Sequence, residues 1–195
     1  MNQASDYYER LIKMTKKLTT SAMLIALSLI LSVITLFNAP YGGTITAGSM
    51  VPVIIIGILF GSKWGLLSGL VYSLLQMMTG GIVPPPTPSF FLYVLVILLD
   101  YVLAFSGLGL SGFVYGALEN KKIAIPFSGA SVMLLRFICH FLSGILIWHT
   151  YAPEETPVWL YSLLYNGGYM LPEIVISTFV LTLLAKPLLK WKANS

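Results

Sequence analysis

Residues 134–166 read LLRFICHFLSGILIWHTYAPEETPVWLYSLLYN. The stretch begins inside an apolar run that carries Arg136 and His140. It leaves that run through the polar loop 151–157 and re-enters apolar sequence with Tyr161 and Asn166. Ionisable groups inside a membrane-length segment are expensive to desolvate, so each is a candidate functional residue. Trp148, Tyr161 and Asn166 lie beside them and offer rings and an amide to a flat polar ligand.

The rest of the chain is of the same kind. Of its 195 residues 57% are hydrophobic and 9% charged, against about 25% charged in an ordinary soluble domain. Mean hydropathy is +0.86. The fold class this implies is an all-α integral membrane protein, a bundle of six transmembrane helices with both termini cytoplasmic. That count leaves no room for a separate soluble domain. The net charge of +4 sits at span ends rather than in a patch, so nucleic acid is not an expected partner. The single Cys139 lies in an apolar run and excludes an intrachain disulfide. No cleavable signal is expected, because the first apolar run is span-length and follows a mixed-charge segment.

Working outward, residues 1–17 read as a cytoplasmic amphipathic segment with Arg10, Lys13, Lys16 and Lys17. Residues 18–189 form one membrane domain and 190–195 a cytoplasmic tail. Expected spans are 18–37, 51–60 (beginning as early as Ile45), 65–78, 90–115, 123–148 and 159–185. The intervening loops 38–50, 79–88 and 150–157 contain no Lys or Arg, whereas Lys63, Lys121 and Lys122 mark the opposite turns. This alternation is what the positive-inside rule demands of six spans with both ends inside.

Asp100, within the fourth span, is the sharpest single signal. A carboxylate at that depth must face a cavity, a cation or a protein donor. It reads either as the counter-ion of a cationic ligand, with Tyr101 at the same depth, or as the partner of Arg136. Arg136 and His140 are four apart and share a helix face. Structural pairing is the expectation for Arg136; His140 is open between ligand contact and a helix–helix hydrogen bond. Trp148 reads as a cavity wall or part of an interfacial aromatic belt, Trp159 as belt. Asn166 precedes Gly167 and Gly168, so backbone can approach its amide closely; the role of Glu173, after Pro172, is open. Ala22 and Ala26 make a small-xxx-small pair, as do Gly112 and Gly116. The segment GILFGSK (57–63) lacks phosphate-loop spacing, and no G-x-S-x-G or H-E-x-x-H occurs. The chain is therefore not expected to be an enzyme, and no metal or cofactor is expected in it.

Several runs resemble a known family: LDYVLAFSGLGLSGF (99–113), LLRFICHFLSGILIW (134–148), TPVWLYSLLYNGGYMLP (156–172), GGTIT in the first loop and GLLSGLVYSLLQMMTG (65–80). Together they resemble the thiamine-specific substrate-binding component of energy-coupling factor transporters over essentially the whole chain. The resemblance implies a six-helix bundle in a prokaryotic cell membrane that binds thiamine near its outer surface. Site residues it implies are Asp100 and Tyr101, His140 and Trp148, Tyr161 and Asn166, with Tyr72 where some members carry tryptophan. It further implies that Ala22 and Ala26 dock a transmembrane coupling protein, with ATP used by two partner ATPase subunits. Some members carry glutamate at position 100, and an indole and an acid in the first loop, where this chain has Gly43 and Ala47. Tyr41 is a candidate replacement for the missing ring. Readings that compete with thiamine uptake are a thiamine precursor such as a hydroxymethylpyrimidine, a stand-alone ion-coupled carrier, and a membrane enzyme using His140 and Asp100.

Overall fold

A backbone surrounded by hydrocarbon must satisfy its own N–H and C=O groups, so long apolar runs resolve into helices. The structure, a computed structural model, describes residues 3–193; expectations for residues 1, 2, 194 and 195 fall outside the described residues. Its helices are α1 (Gln3–Val33), α2 (Val51–Phe60), α3 (Ser62–Gly80), α4 (Phe90–Ala117), α5 (Lys121–Leu146) and α6 (Val158–Ala193). Four of them, α1, α4, α5 and α6, are long and apolar enough to cross a membrane. The protein is a multi-pass membrane protein.

Two expectations need correction. α1 stops at Val33 rather than Phe37, and the chain is not purely helical. Thr35–Asn38 (β1) pairs antiparallel with Thr44–Thr46 (β2), with a register irregularity between Thr35 and Phe37. The β-branched run Val33-Ile34-Thr35 disfavours further helix and suits a strand. At its other end α1 runs unbroken from Gln3, so the basic start and the first apolar run share one helix.

α2 is only ten residues, yet Val51–Ile58 is buried throughout. Its continuous apolar run has no polar face because neighbouring helices surround it. Close approach at its far end depends on glycine: a Cβ on Gly65 of α3 would lie 2.6 Å from the Gly109 carbonyl oxygen of α4 and 2.8 Å from Gly57 Cα of α2. Small residues at such crossings let backbones meet where hydrocarbon supplies no hydrophobic drive. Gly112 packs against the Gly57 carbonyl, whereas Gly116, its partner in the sequence pattern, faces open space. α5 and α6 form the most extensive helix pair, and the Ser162 hydroxyl donates to the Phe141 carbonyl at 2.7 Å across it.

The two ends of the bundle differ in chemistry. Lys17 lies 4.2 Å from the Trp64 ring centroid, and Lys121 and Lys192 lie 4.9 and 4.2 Å from that of Tyr115. Lys192 also donates to the last-turn carbonyl of Ile58 at 2.7 Å, and the Asn120 side chain caps α5 by accepting from the Lys122 and Ile123 N–H groups. The opposite end carries the β-ribbon, the proline-rich connection 81–89 and the loop 147–157, and it holds the site.

Candidate functional site

α4 does not wind uniformly. Residues Ile97–Leu103 form a π-helical segment, with Asp100 in its first turn. Such a turn widens the helix and re-aims a side chain, and it recurs at functional positions. Here it delivers the Asp100 carboxylate to the buried polar face of α5 that carries His140 and Ser143. His140 Nδ1 donates to Asp100 Oδ1 at 3.0 Å. The Ser143 hydroxyl donates to Oδ2 at 2.7 Å, and the Trp148 indole N–H reaches the same oxygen at 3.2 Å. An ionised carboxylate only accepts, so Nδ1 carries the shared proton, and in the neutral ring Nε2 presents a lone pair. That Nε2 is buried and has no partner among the described residues.

The expected alternative, an ion pair between Asp100 and Arg136, is not formed. Asp100 pairs with His140, and Arg136 lies with its Cζ 4.8 Å from the Phe105 ring centroid. Arg136 is 8% exposed and its Nε is unpartnered.

Asp100, His140 and Arg136 all line one cavity of about 320 Å³, within the range of small-molecule sites. Tyr101, Trp148, Tyr161 and Asn166 line it as well. Tyr101 commits its hydroxyl to the Gly81 carbonyl at 3.0 Å, tying the proline-rich connection to the cavity wall. Asn166 is 6% exposed; its amide donates to the Ser162 carbonyl at 2.9 Å and its oxygen accepts from the Tyr169 hydroxyl at 2.8 Å. Tyr161 stacks on Tyr165, with centroids 5.7 Å apart. Tyr72 is not brought to the cavity. It is fully buried behind the wall, edge-on to Phe105 at 5.3 Å, where its hydroxyl accepts from Gln76 at 2.8 Å. The helical register of α3 turns it into the core.

Sequence reasoning missed several participants. Ser143 lies three residues beyond His140, so the polar stripe Arg136, His140, Ser143 has helical spacing and was available as a signal. The mouth is built from loop residues, among them Tyr41, the candidate ring of the first loop. Tyr41 stacks on Tyr151 at 4.3 Å and 8°, and Tyr151 on Trp148 at 6.1 Å and 11°. The Tyr165 hydroxyl accepts from the Tyr41 N–H at 3.0 Å and donates to the Gly42 carbonyl at 2.7 Å. Gly43 has φ +86°, and a Cβ there would lie 2.6 Å from the Tyr169 ring. Glycine is therefore required twice over at that turn. Glu173 is 1% exposed and holds the root of the ribbon, accepting from the Thr46 N–H at 2.7 Å and the Thr46 hydroxyl at 2.6 Å. Ala22 and Ala26 lie far from all this, exposed on the outer face of α1, opposite the buried Ser21, Ile25 and Ser28.

A membrane bundle whose one end encloses a fixed anion between aromatic walls defines a class: membrane proteins that hold a small organic molecule. The chain belongs to the thiamine transporter protein family (Thia_YuaJ), which it matches over residues 18–192. It is 32% identical to the thiamine transporter ThiT of Bacillus subtilis over 183 residues, 88% of this chain and 91% of that one. It is 29% identical to ThiT of Lacticaseibacillus paracasei over 133 residues, 64% of this chain and 60% of that one. A solved structure of ThiT from Listeria monocytogenes has the same fold, with a TM-score of 0.72 at 24% identity over 92% of this chain and 98% of the other.

Proposed function

We propose that this chain is the thiamine-binding subunit of an uptake system in a prokaryotic cytoplasmic membrane. The observation that carries the reading is the Asp100 carboxylate, fixed by His140, Ser143 and Trp148 at the wall of an aromatic cavity in a chain of this family. Thiamine combines a permanent thiazolium cation with a planar aminopyrimidine. Asp100 answers the charge, and the tyrosine and tryptophan faces add cation–π attraction of roughly 0.5–2 kcal/mol each when dry. His140 Nε2, a bare acceptor, suits the exocyclic amine. The Asn166 side chain makes three internal bonds, and the lone pair left on its oxygen suits a donor on the ring edge.

The topology in this proposal has six crossings with both ends cytoplasmic. α2 alone, at about 1.5 Å per residue, spans only about half of the hydrocarbon core. The non-helical residues 46–50 before it are largely buried in protein, a setting in which irregular backbone is tolerated at membrane depth. Lysines gather at the end opposite the cavity, which by the positive-inside rule supports an external cavity end. The exposed Ala22–Ala26 face of α1 is the docking surface for a transmembrane coupling protein, and two ATPase subunits supply the work.

Reconstituted proteoliposomes test the proposal. Thiamine accumulates only when this chain is joined by the coupling protein, the ATPases and ATP. Accumulation by this chain alone under a pH gradient would refute energisation in trans, and conversion of the ligand would make the chain an enzyme.

A further inference from the structure

Glycine is the poorest helix former apart from proline. Inside a membrane helix it commonly serves a positive φ, the close approach of a neighbour, or a bend. In the middle of α6 the run Gly167, Gly168, Tyr169, Met170, Leu171, Pro172 holds two glycines and a proline. Neither glycine has a positive φ. A Cβ on Gly168 would meet nothing within 4 Å, and one on Gly167 only Leu171 Cδ1 at 4.0 Å. Alanine would fit at both, whereas at Gly57, Gly65 and Gly109 it would collide with a neighbouring helix. Bending is the use that is left. Pro172 supports it, because proline has no N–H to donate to the Gly168 carbonyl four residues back. The helix is therefore weakest where its two most pliant residues lie.

The side chains around this point show what a bend would move. Tyr165, Tyr169 and Glu173 are spaced four apart on one face of α6 and hold successive parts of the first loop. Tyr165 bonds the Tyr41 N–H and the Gly42 carbonyl. The Tyr169 ring backs Gly43, and Glu173 holds Thr46. The glycines fall between the first of these grips and the other two. The outer half of α6 also carries Tyr161 and Asn166 into the cavity wall. Asn166 is latched back across the glycines by the Tyr169 hydroxyl at 2.8 Å.

We infer that Gly167, Gly168 and Pro172 form a hinge in α6. Bending there swings residues 158–166 outward and lifts Tyr165 from Tyr41 and Gly42, which opens the cavity. Glu173, on the inner side, keeps the root of the ribbon in place. The link to ligand entry rests on the thiamine reading of the cavity; the bend itself does not.

Two measurements on the purified full-length chain test this. The first is stopped-flow mixing with thiamine, followed by tryptophan fluorescence. Gly168→Ala slows association and release about fivefold, and the double variant with Gly167→Ala about 25-fold, the helix preference of alanine over glycine written as a rate ratio. Neither variant melts below wild type, since both sites have room for a methyl group. If Gly168→Ala does not fold, Pro172→Ala, which restores the missing N–H, carries the same test. Gly116→Ala is the control: it too has open space, but it lies at the far end of α4, and both rates stay at the wild-type value. The second measurement is hydrogen exchange in the ligand-free protein. Amides of residues 169–173 exchange faster than those of the flanking turns of α6, and Gly168→Ala slows them. Unchanged rates in the double variant, equal slowing in Gly116→Ala, or uniform protection along α6 overturns the hinge. So does loss of uptake by the assembled system with unaltered rates in the isolated chain, because the glycines then serve contact with a partner. If thiamine does not bind wild type, the thiamine reading fails and the exchange measurement alone judges the hinge.

Discussion

Replacing Asp100 by Asn removes one charge and leaves the shape nearly unchanged. Three donors converge on the carboxylate, from His140, Ser143 and Trp148. An amide oxygen still serves one or two of them, but its NH₂ group now faces a donor. The ligand loses more. A cation about 5 Å from the carboxylate, in a site of effective dielectric about 20, is attracted by roughly 3 kcal/mol. Losing that attraction weakens thiamine binding about 100-fold. A neutral aminopyrimidine without the thiazolium forfeits only the disturbance of His140 and Trp148, less than about tenfold on the same scale. Calorimetry on purified protein is the suitable assay, because the Trp148 indole is bonded to residue 100 and its fluorescence baseline shifts with the mutation. Equal losses for the two ligands, or a thiamine affinity unchanged in Asp100→Asn, would refute direct pairing of this carboxylate with the cationic ring. A larger loss for the neutral pyrimidine would favour the precursor as the true ligand.

Three further outcomes follow from the same geometry. Gly43→Ala places a Cβ 2.6 Å from the Tyr169 ring at φ +86°, costing about 2–4 kcal/mol of strain and overpacking; a lower unfolding temperature and faster thiamine release are expected, and an unchanged release rate would separate the first loop from the ligand. Glu173→Leu leaves the buried Thr46 N–H without its acceptor, a loss of about 1–3 kcal/mol, while Glu173→Gln retains an oxygen for that N–H and loses less; equal melting temperatures for the two variants would contradict this anchoring role. Leu at both Ala22 and Ala26 abolishes uptake by the assembled system and leaves thiamine affinity within about twofold of wild type, since both alanines are exposed and remote from the cavity; retained uptake would reject the docking face.

Much of the fold was legible because hydropathy in a membrane is nearly a direct readout of helix. The four long helices cover the apolar runs in which the charged residues of the site were noticed. The β-ribbon was not legible: Thr35–Asn38 continues an apolar run, and nothing local says that it pairs with Thr44–Thr46 instead of extending α1. On the site, helical spacing placed Arg136 and His140 on one face, and the same rule applied one step further would have added Ser143. Tyr72 is implied by the family resemblance, which names a position but not the direction in which α3 turns it, and the side chain lies in the core. Contacts such as Glu173 to Thr46 and Tyr165 to Gly42, more than 120 residues apart in sequence, depend on tertiary packing that no local pattern encodes. The alternative reading of Asp100, a pair with Arg136, assumed that buried opposite charges find each other. Instead the widened turn of α4 aims Asp100 at His140, and Arg136 is left facing the cavity.

Titrating the purified chain with thiamine while following tryptophan fluorescence is the most direct measurement of whether this cavity is the vitamin's seat. Of the four tryptophans, only Trp148 lines the cavity. A saturable one-to-one change that disappears in Trp148→Phe, while calorimetry still detects binding in that variant, is the expected result. No saturable response in folded protein, or a response that survives in Trp148→Phe at full amplitude, would place the ligand elsewhere and contradict the account.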